Sequence, residues 1–305
     1  MRRLLPAGAD YLQWLGAAVL LALLTAAPAY AQDAEALKTR HAALTEQLDD
    51  NPFQRPLHLE SRQTEDTLQG DIYAVIEQPY AVVGTALQGG EHWCDILILH
   101  LNVKSCRASS DPTGEVLRLH IGRKFEQALA DAYLFEFAYR VATATPEFLQ
   151  VLLEAKDGPL GTSRYRIKLE AVALDDRRSF LHLSYAYAYG MAARLATQGY
   201  LATLGRDKVG FSIVERSAEG QPVYIDGMRG VIERNTMRYY LAIEAYLSAL
   251  SEPPAEQFEK RLDHWQTAVE QYPAQLHELE RDQYLSMKRK EIQRQQRSAS
   301  DAANK

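Results

Sequence analysis

The chain reads as an α+β protein, an antiparallel sheet followed by long helices, and three observations predict it. Between residues 57 and 189 about eight segments carry strand patterning, separated by turn chemistry rather than by helices. Several alternate apolar with polar residues, as strands with one dry and one wet face do. From residue 191 onward the apolar spacing changes to alternating steps of four and three, which lines one face of a helix.

The elements follow in order. Arg2 and Arg3 precede a short apolar run, Leu15 to Ala27, and Ala29-Tyr-Ala31 places small residues where a signal peptidase cuts. Residues 1–31 are expected to be a cleaved signal peptide, with cleavage after Ala31 and a periplasmic or secreted product; the alternative is an uncleaved anchor. No cysteine follows the run, which excludes a lipoprotein anchor, and no later stretch is long and apolar enough to span a bilayer. Residues 32–67 form an extension: a helix over 33–50 carrying Leu37, Leu44 and Leu48, stopped at Asn51-Pro52, then a strand over 57–63. A second strand, 68–76, is apolar on both faces, with Ile72, Ala74 and Ile76 on one and Tyr73 and Val75 on the other. Pro79 ends it and opens a helix over 80–87; after Gly89-Gly90 a second short helix covers 91–99.

Six strands follow, over 103–108, 116–122, 133–145, 147–156, 164–174 and 179–189. Phe135, Phe137, Tyr139 and Val141 share one face, as do Tyr165, Ile167, Leu169 and Ala171. His120 and His182 fall opposite the apolar sets and are expected on the outer face. A helix over 191–204 stops at Gly205, a hairpin turns about 218–220, and a long helix covers 229–250. Past Glu252-Pro-Pro254, residues 254–292 form an amphipathic helical segment in which Phe258, Leu262, Trp265, Val269, Tyr272, Leu276 and Leu279 keep the four-three spacing. Pro273 should kink it near Tyr272. The stripe packs across the domain or zips two copies into a homodimer. Residues 293–305 are expected to be a disordered basic tail. With Lys288, Arg289, Lys290, Arg294 and Arg297 nearby, the end of the chain is either solvated or touches anionic lipid headgroups.

The 305 residues carry a formal charge of −6, or −7 without the first 31, which hold two arginines and one aspartate. That excludes bulk nucleic-acid binding, which needs a basic footprint. No GxSxG, P-loop, GxGxxG, HExxH or CxxC pattern is present, and His58, His120, His182, His264 and His277 show no metal spacing. No metal or cofactor is expected. If the chain catalyses anything, Glu136, His182 and Tyr187 are the residues to consider.

The stretch Ile72-Tyr-Ala-Val-Ile-Glu-Gln-Pro79, with Val82-Val83, Leu87 and Trp93 after it, resembles the opening of the START-like (SRPBCC, helix-grip) superfamily, in an exported bacterial branch. The resemblance covers residues 68–250. It implies a curved antiparallel sheet gripping a long C-terminal helix, with extra helices at both ends and a cavity between sheet and helix. The helix over 229–250 is the expected occupant of the grip, and that over 191–204 its rival. The segments 33–67 and 191–226 and the C-terminal helix depart from the superfamily's pattern.

That cavity implies a function: holding a hydrophobic or amphipathic small molecule, a lipid among the candidates, without catalysis. Cyclase-like or other enzymatic use of the same cavity is one alternative, and an envelope interaction module working through the C-terminal helix is another. Tyr185, Tyr187 and Tyr189 stand on one face of the last strand, with Phe137 and Tyr139 from an earlier strand and Tyr239 from the long helix. They line the cavity or simply fill the core. Arg234 and Arg238, four apart, could hold a carboxylate or phosphate, or make surface ion pairs with Glu233 or Glu244.

The stretch EHWCDILILHLNVKSC holds both cysteines, Cys94 and Cys106. A metal site would need four converging ligands as well as thiolates, which an oxidising envelope disfavours. His92, two residues from Cys94 on a helix, points away from it, which works against a thiol nucleophile. A disulfide fits best, because the chain turns back between the two at 99–102. Trp93 then resembles the superfamily's packing landmark where helix meets sheet.

Overall fold

The computed structural model describes residues 29–303 apart from Thr113 and Leu204. The expected signal peptide, all but its last three residues, lies outside the described residues.

Eight strands form one antiparallel sheet: β1 (Leu57–Gln63), β2 (Thr67–Ile76), β3 (Val103–Asp111), β4 (Gly114–Ile121), β5 (Tyr133–Ala144), β6 (Phe148–Asp157), β7 (Thr162–Ala173) and β8 (Ser179–Tyr189). Their spatial order is β1-β2-β8-β7-β6-β5-β4-β3. Sequence neighbours pair by hairpins except at one place: β2 pairs with β8 instead of β3, which leaves β1 and β3 as the sheet's edges. The described residues open with α1 (Ala29–Ala43) and α2 (Thr45–Asp49), and between β2 and β3 the chain makes two further short helices, α3 (Tyr80–Ala86) and α4 (Gly90–Leu97). Gly89 between them has φ +93°, a conformation glycine adopts without a Cβ penalty.

After β8 come a helix (Met191–Ala202), a small hairpin (Ile213–Arg216 with Pro222–Tyr224) and the long helix Gly227–Ser248. The long helix lies on β1, β2 and β8 and against α4, so it is the gripped helix, as expected for 229–250. The fit is tight enough to require a glycine. A Cβ on Gly70 of β2 would come within 2.3 Å of Thr236 Oγ1 on the helix. Ile232, Met237, Leu241 and Ile243 are fully buried in the same core as Leu68, Ile72, Leu181 and Leu183.

The C-terminal segment packs within the domain. It forms helices Pro254–Val269, Pro273–Leu276 and Arg281–Ala303. Pro273 opens the short middle helix, so the break near Tyr272 is where expected. Leu262, Trp265, Val269 and Leu276 are buried in the common core, and Trp265 Nε1 donates to Arg238 O at 3.2 Å. Most of the four-three stripe is therefore consumed inside one chain, with Phe258 and Leu279 partly buried at its ends.

Residues 293–303 extend the last helix where a disordered tail is expected, and four cations in and just before them are engaged. Lys288, completely buried, donates to His100 O and Val103 O at 2.8 Å and to Glu291 at 2.9 Å. Glu291 also pairs with buried Lys104 of β3 at 3.0 Å. Arg289 pairs with Glu259, Lys290 with Glu126, and Arg294 donates to Lys104 O. Partners nearly two hundred residues away turn a run that reads as solvated into an anchor.

A second correction concerns the outer face of the sheet. His182 does lie there, but the face is not wet, because helices Ala29–Ala43 and Thr45–Asp49 cover it. Leu37, Leu44 and Leu48 pack on Tyr73, Phe148, Val172 and Phe180. Beneath them His182 bridges two carboxylates, Nδ1 to Glu170 at 2.8 Å and Nε2 to Asp71 at 3.0 Å, and stacks on Tyr73 at 4.3 Å. Burial disfavours its charge, but the two carboxylates outweigh burial and raise its pKa. By contrast Glu136 is an exposed outer-face partner of Arg118.

Candidate functional site

An aromatic cluster occupies the space between the sheet and the gripped helix. Tyr185 and Tyr187, two apart on β8, point to the same side, with ring centroids 5.7 Å apart. Tyr239 descends from the helix onto Tyr185 at 5.2 Å, edge to face. Tyr165 of β7 stacks on Tyr187 at 5.1 Å and meets Phe135 of β5 at 4.9 Å; Phe137 lies against Phe135 at 4.6 Å. The placement of Tyr165 depends on a β-bulge. The β7–β8 register slips between Ser163 and Arg166, and Arg164 within the slip has φ +51°. A bulge of this kind re-aims a side chain and is common beside sites.

The cluster is not a sealed core. Burial pushes the Tyr185 hydroxyl pKa well up, and likewise raises those of Tyr187 and Tyr239, so all three lie deep in the molecule. Tyr165, Tyr187 and Tyr239 nonetheless keep part of their surface accessible. Among the described residues no hydrogen bond satisfies the hydroxyls of Tyr185, Tyr187 or Tyr239, and none of the three is among the polar atoms closed off from a water-sized molecule. A deep hydroxyl that finds no protein partner and is not sealed faces space. Some accessible surface therefore remains at these three hydroxyls.

The remaining expected site residues are placed otherwise. Tyr139 accepts a hydrogen bond from Gly89 N–H at 2.7 Å and braces the junction of α3 and α4; burial pushes its pKa to about 12. Tyr189 donates to Thr64 O at 2.9 Å and accepts from Gln63, which ties the end of β8 to the β1–β2 turn. Beside it an open hollow of about 450 Å³ is lined by Gln63, Arg194 and Met228, among others. Arg234 and Arg238 are both 2% exposed, so they are not surface residues. Nor do they pair with the glutamates expected of them. Glu233 accepts from Ser61, from Ser212 Oγ and from the backbone N–H groups of Phe211 and Ser212, and Glu244 pairs with Arg55. Arg238 instead reaches Glu278 at 2.8 Å.

Tyr165 and Phe135 belong to the site although the tyrosine strand alone does not reveal them; their shared strand faces are the signal that could have. His100, 3% exposed, stacks on Tyr239 at 4.8 Å, and nothing in its local sequence marks it. Cys94 and Cys106 form a disulfide, with Cα atoms 5.1 Å apart, joining α4 to β3. Trp93 beside it is 1% exposed and donates to Leu87 O at 2.9 Å. Among the described residues no group of histidine, cysteine and carboxylate side chains is arranged to hold a metal.

No protein-family model matches the chain, and no curated protein is similar to it. Solved structures are similar at low identity. A truncated norcoclaurine synthase from Thalictrum flavum is 14% identical over 48% of this chain and 93% of its own, with a TM-score of 0.32. The Zhui aromatase/cyclase from Streptomyces sp. R1128 is 10% identical over 70% and 96%, with a TM-score of 0.32. A START superfamily protein from Mycobacterium smegmatis is 11% identical over 46% and 92%, with a TM-score of 0.29. At these values the likeness says nothing of ligand or activity. The strand order, the two helices between β2 and β3, and the long helix held against β1, β2 and β8 give this chain the START-like helix-grip fold.

Proposed function

We propose that the protein is an exported, non-catalytic binding protein that holds a hydrophobic or amphipathic small molecule, a lipid among the candidates, between the sheet and the gripped helix. The observation that carries this reading is the set of three deep tyrosine hydroxyls, on Tyr185, Tyr187 and Tyr239, that no protein group satisfies. Tyrosine combines a large apolar body with one hydrogen-bonding tip, so such a wall takes a mostly apolar guest and orients it by a few polar contacts. Export is supported by the pattern of residues 1–31 and by the Cys94–Cys106 disulfide, a bond that persists in oxidising compartments.

The test is to incubate the purified full chain with a bacterial lipid extract and weigh it by native mass spectrometry. A stoichiometric adduct is expected from the wild type, weakened in Tyr187→Trp, which crowds the cleft. Wild-type protein that emerges repeatedly without added mass defeats the reading. For export, the secreted or periplasmic product should begin at Gln32; an intact N-terminus on protein from that fraction refutes cleavage there.

A further inference from the structure

Beside Tyr239 and the His100 ring stacked on it lies an unbalanced group of cations. Arg234 and Arg238 come from successive turns of the gripped helix. Lys124 comes from the loop after β4, and Lys208 from the segment after the helix Met191–Ala202. One carboxylate, Glu278, serves them. Arg238 donates to it at 2.8 Å and to Leu276 O at 3.3 Å, and Lys124 donates to it at 2.5 Å and to Tyr200 OH at 2.9 Å. Arg234 donates to Val209 O at 3.1 Å, and Lys208 to His277 O. Glu233, next to Arg234 in sequence, is held by Ser61, Phe211 and Ser212 and offers no compensation.

Four positive side chains therefore share one negative one, two of them almost wholly buried. The strain shows in their ionisation. Burial lowers the pKa of Arg238, which Glu278 and Tyr200 offset only in part. Arg234 is lowered by burial and then by Arg238. Glu278 is opposed by its own burial, yet Arg238, Lys124 and Lys208 hold its carboxyl below the ordinary value. Buried charge without a counter-charge is costly, and a bound anion removes that cost.

Two further donors lack partners. Arg238 Nε and His100 Nε2 are sealed from solvent with nothing to accept from them. Asn102 N–H donates to His100 Nδ1 at 3.2 Å, which puts the ring proton on Nε2. Burial, followed by Arg238, Lys288, Lys124 and Lys104, holds that imidazole neutral by lowering its pKa well below the ordinary value. Because the ring also stacks on Tyr239, this donor lies where the aromatic wall meets the cations.

We propose that Arg234, Arg238, Lys124, Lys208 and His100 form an anion subsite, and that the occupant of the cleft carries one anionic oxygen head group, a carboxylate or a phosphate, on its apolar body. The proposal rests on the cleft being a binding site, so the experiment separates the two. The full chain is titrated with 1-anilinonaphthalene-8-sulfonate and with N-phenyl-1-naphthylamine, which share their rings and differ by the sulfonate, and fluorescence is read at low and high salt. The charged probe should bind about tenfold more tightly than the neutral one, a preference that shrinks as salt rises. Lys124→Met and Lys208→Met, both at partly accessible positions, should each weaken the charged probe by roughly three- to tenfold and leave the neutral probe unchanged. Displacement by dodecanoate and by dodecyl phosphate then tells which head fits better. If the neutral probe binds and the charged one gains nothing, or if neither lysine variant moves it, the anion subsite is overturned and the cleft stands. If neither probe binds the wild type, both readings fall. The comparison of two probes on wild-type protein decides the matter even if a variant fails to fold.

Discussion

Replacing His182 with glutamine should weaken the protein most between about pH 5 and 6.5, for reasons that can be worked through group by group. His182 sits under the N-terminal helices between Asp71, 2% exposed, and Glu170, which also receives Lys168 at 2.8 Å and Gln150 at 2.8 Å. Burial works against the charge on Glu170, but hydrogen bonds from His182 and Lys168 overcome it and bring its pKa from 4.5 to about 2. A carboxyl displaced that far stabilises the folded chain by about 3 kcal/mol. The contribution is present above the unfolded pKa and is lost as pH falls through the folded one. Asp71 is lowered too: its burial is outweighed by His182, Ser184 and Gln69. His182 has the opposite sign. Its pKa is raised, so its contribution is complete below about 6.5 and is lost as pH rises through the folded value. The window in which all three act is therefore mildly acidic.

Glutamine keeps one hydrogen bond but removes the positive charge, leaving Lys168 alone against two buried carboxylates. Breaking such a pair costs about 3 kcal/mol. Urea denaturation of both proteins at pH 5.5 and at pH 9 measures it. The deficit of the variant should be near that figure at pH 5.5 and should shrink toward pH 9, as rising pH takes the proton from the wild-type imidazole. Equal deficits at the two pH values would refute the reasoning, as would a His182 ring signal that titrates below 6.5 by NMR.

Three other outcomes follow from the same coordinates. Glu233→Ala removes a carboxylate that accepts from Ser61, from Ser212 Oγ and from two backbone N–H groups; it should cost about 3 kcal/mol and speed hydrogen exchange over residues 209–225, whereas unchanged exchange there would show that Glu233 does not pin the segment. Gly70→Ala drives a Cβ against Thr236 Oγ1 and should cost about 1–3 kcal/mol in thermal or chemical unfolding, with much of the loss recovered by adding Thr236→Ala; a double variant no more stable than the single one contradicts the close approach. Replacing Cys94 and Cys106 by serine opens a loop with a sequence separation of 12 and should lower stability by about 3 kcal/mol, while non-reducing peptide mapping of the wild type should recover the two cysteines in one linked pair.

The elements were legible because their causes are local. Strands β1 and β8 run over 57–63 and 179–189, as alternation and turn residues predict, and Pro79, Gly89 and Pro273 set boundaries through backbone restrictions that need no tertiary partner. Tyr185 and Tyr187 were legible as a pair for the same reason, since residues two apart on a strand share a face. Of the cation group only Arg234 and Arg238, four apart on one helix, were legible. His100, Lys124, Lys208 and Glu278 come from four separate segments, and no spacing within any one of them records that they meet.

What the sequence determined by itself is the set of elements, their faces and the turn that brings its two cysteines together, all of them consequences of backbone stereochemistry and apolar period. What the tertiary structure decided is which faces are dry. The outer side of β8 looks wet from its own residues and is buried only because a helix from residues 29–43 returns to cover it. A hint was present in β2, apolar on both faces, but a pattern of that kind says that something must cover a strand and not what does. Charge behaves likewise. Lys288 reads as a solvated tail residue and becomes an anchor because His100 and Val103 present carbonyls to it, and Arg234 and Arg238 read as a surface pair and are almost wholly buried. Desolvation and ion pairing depend on neighbours in space, and neighbours in space are set by the packing of the whole chain.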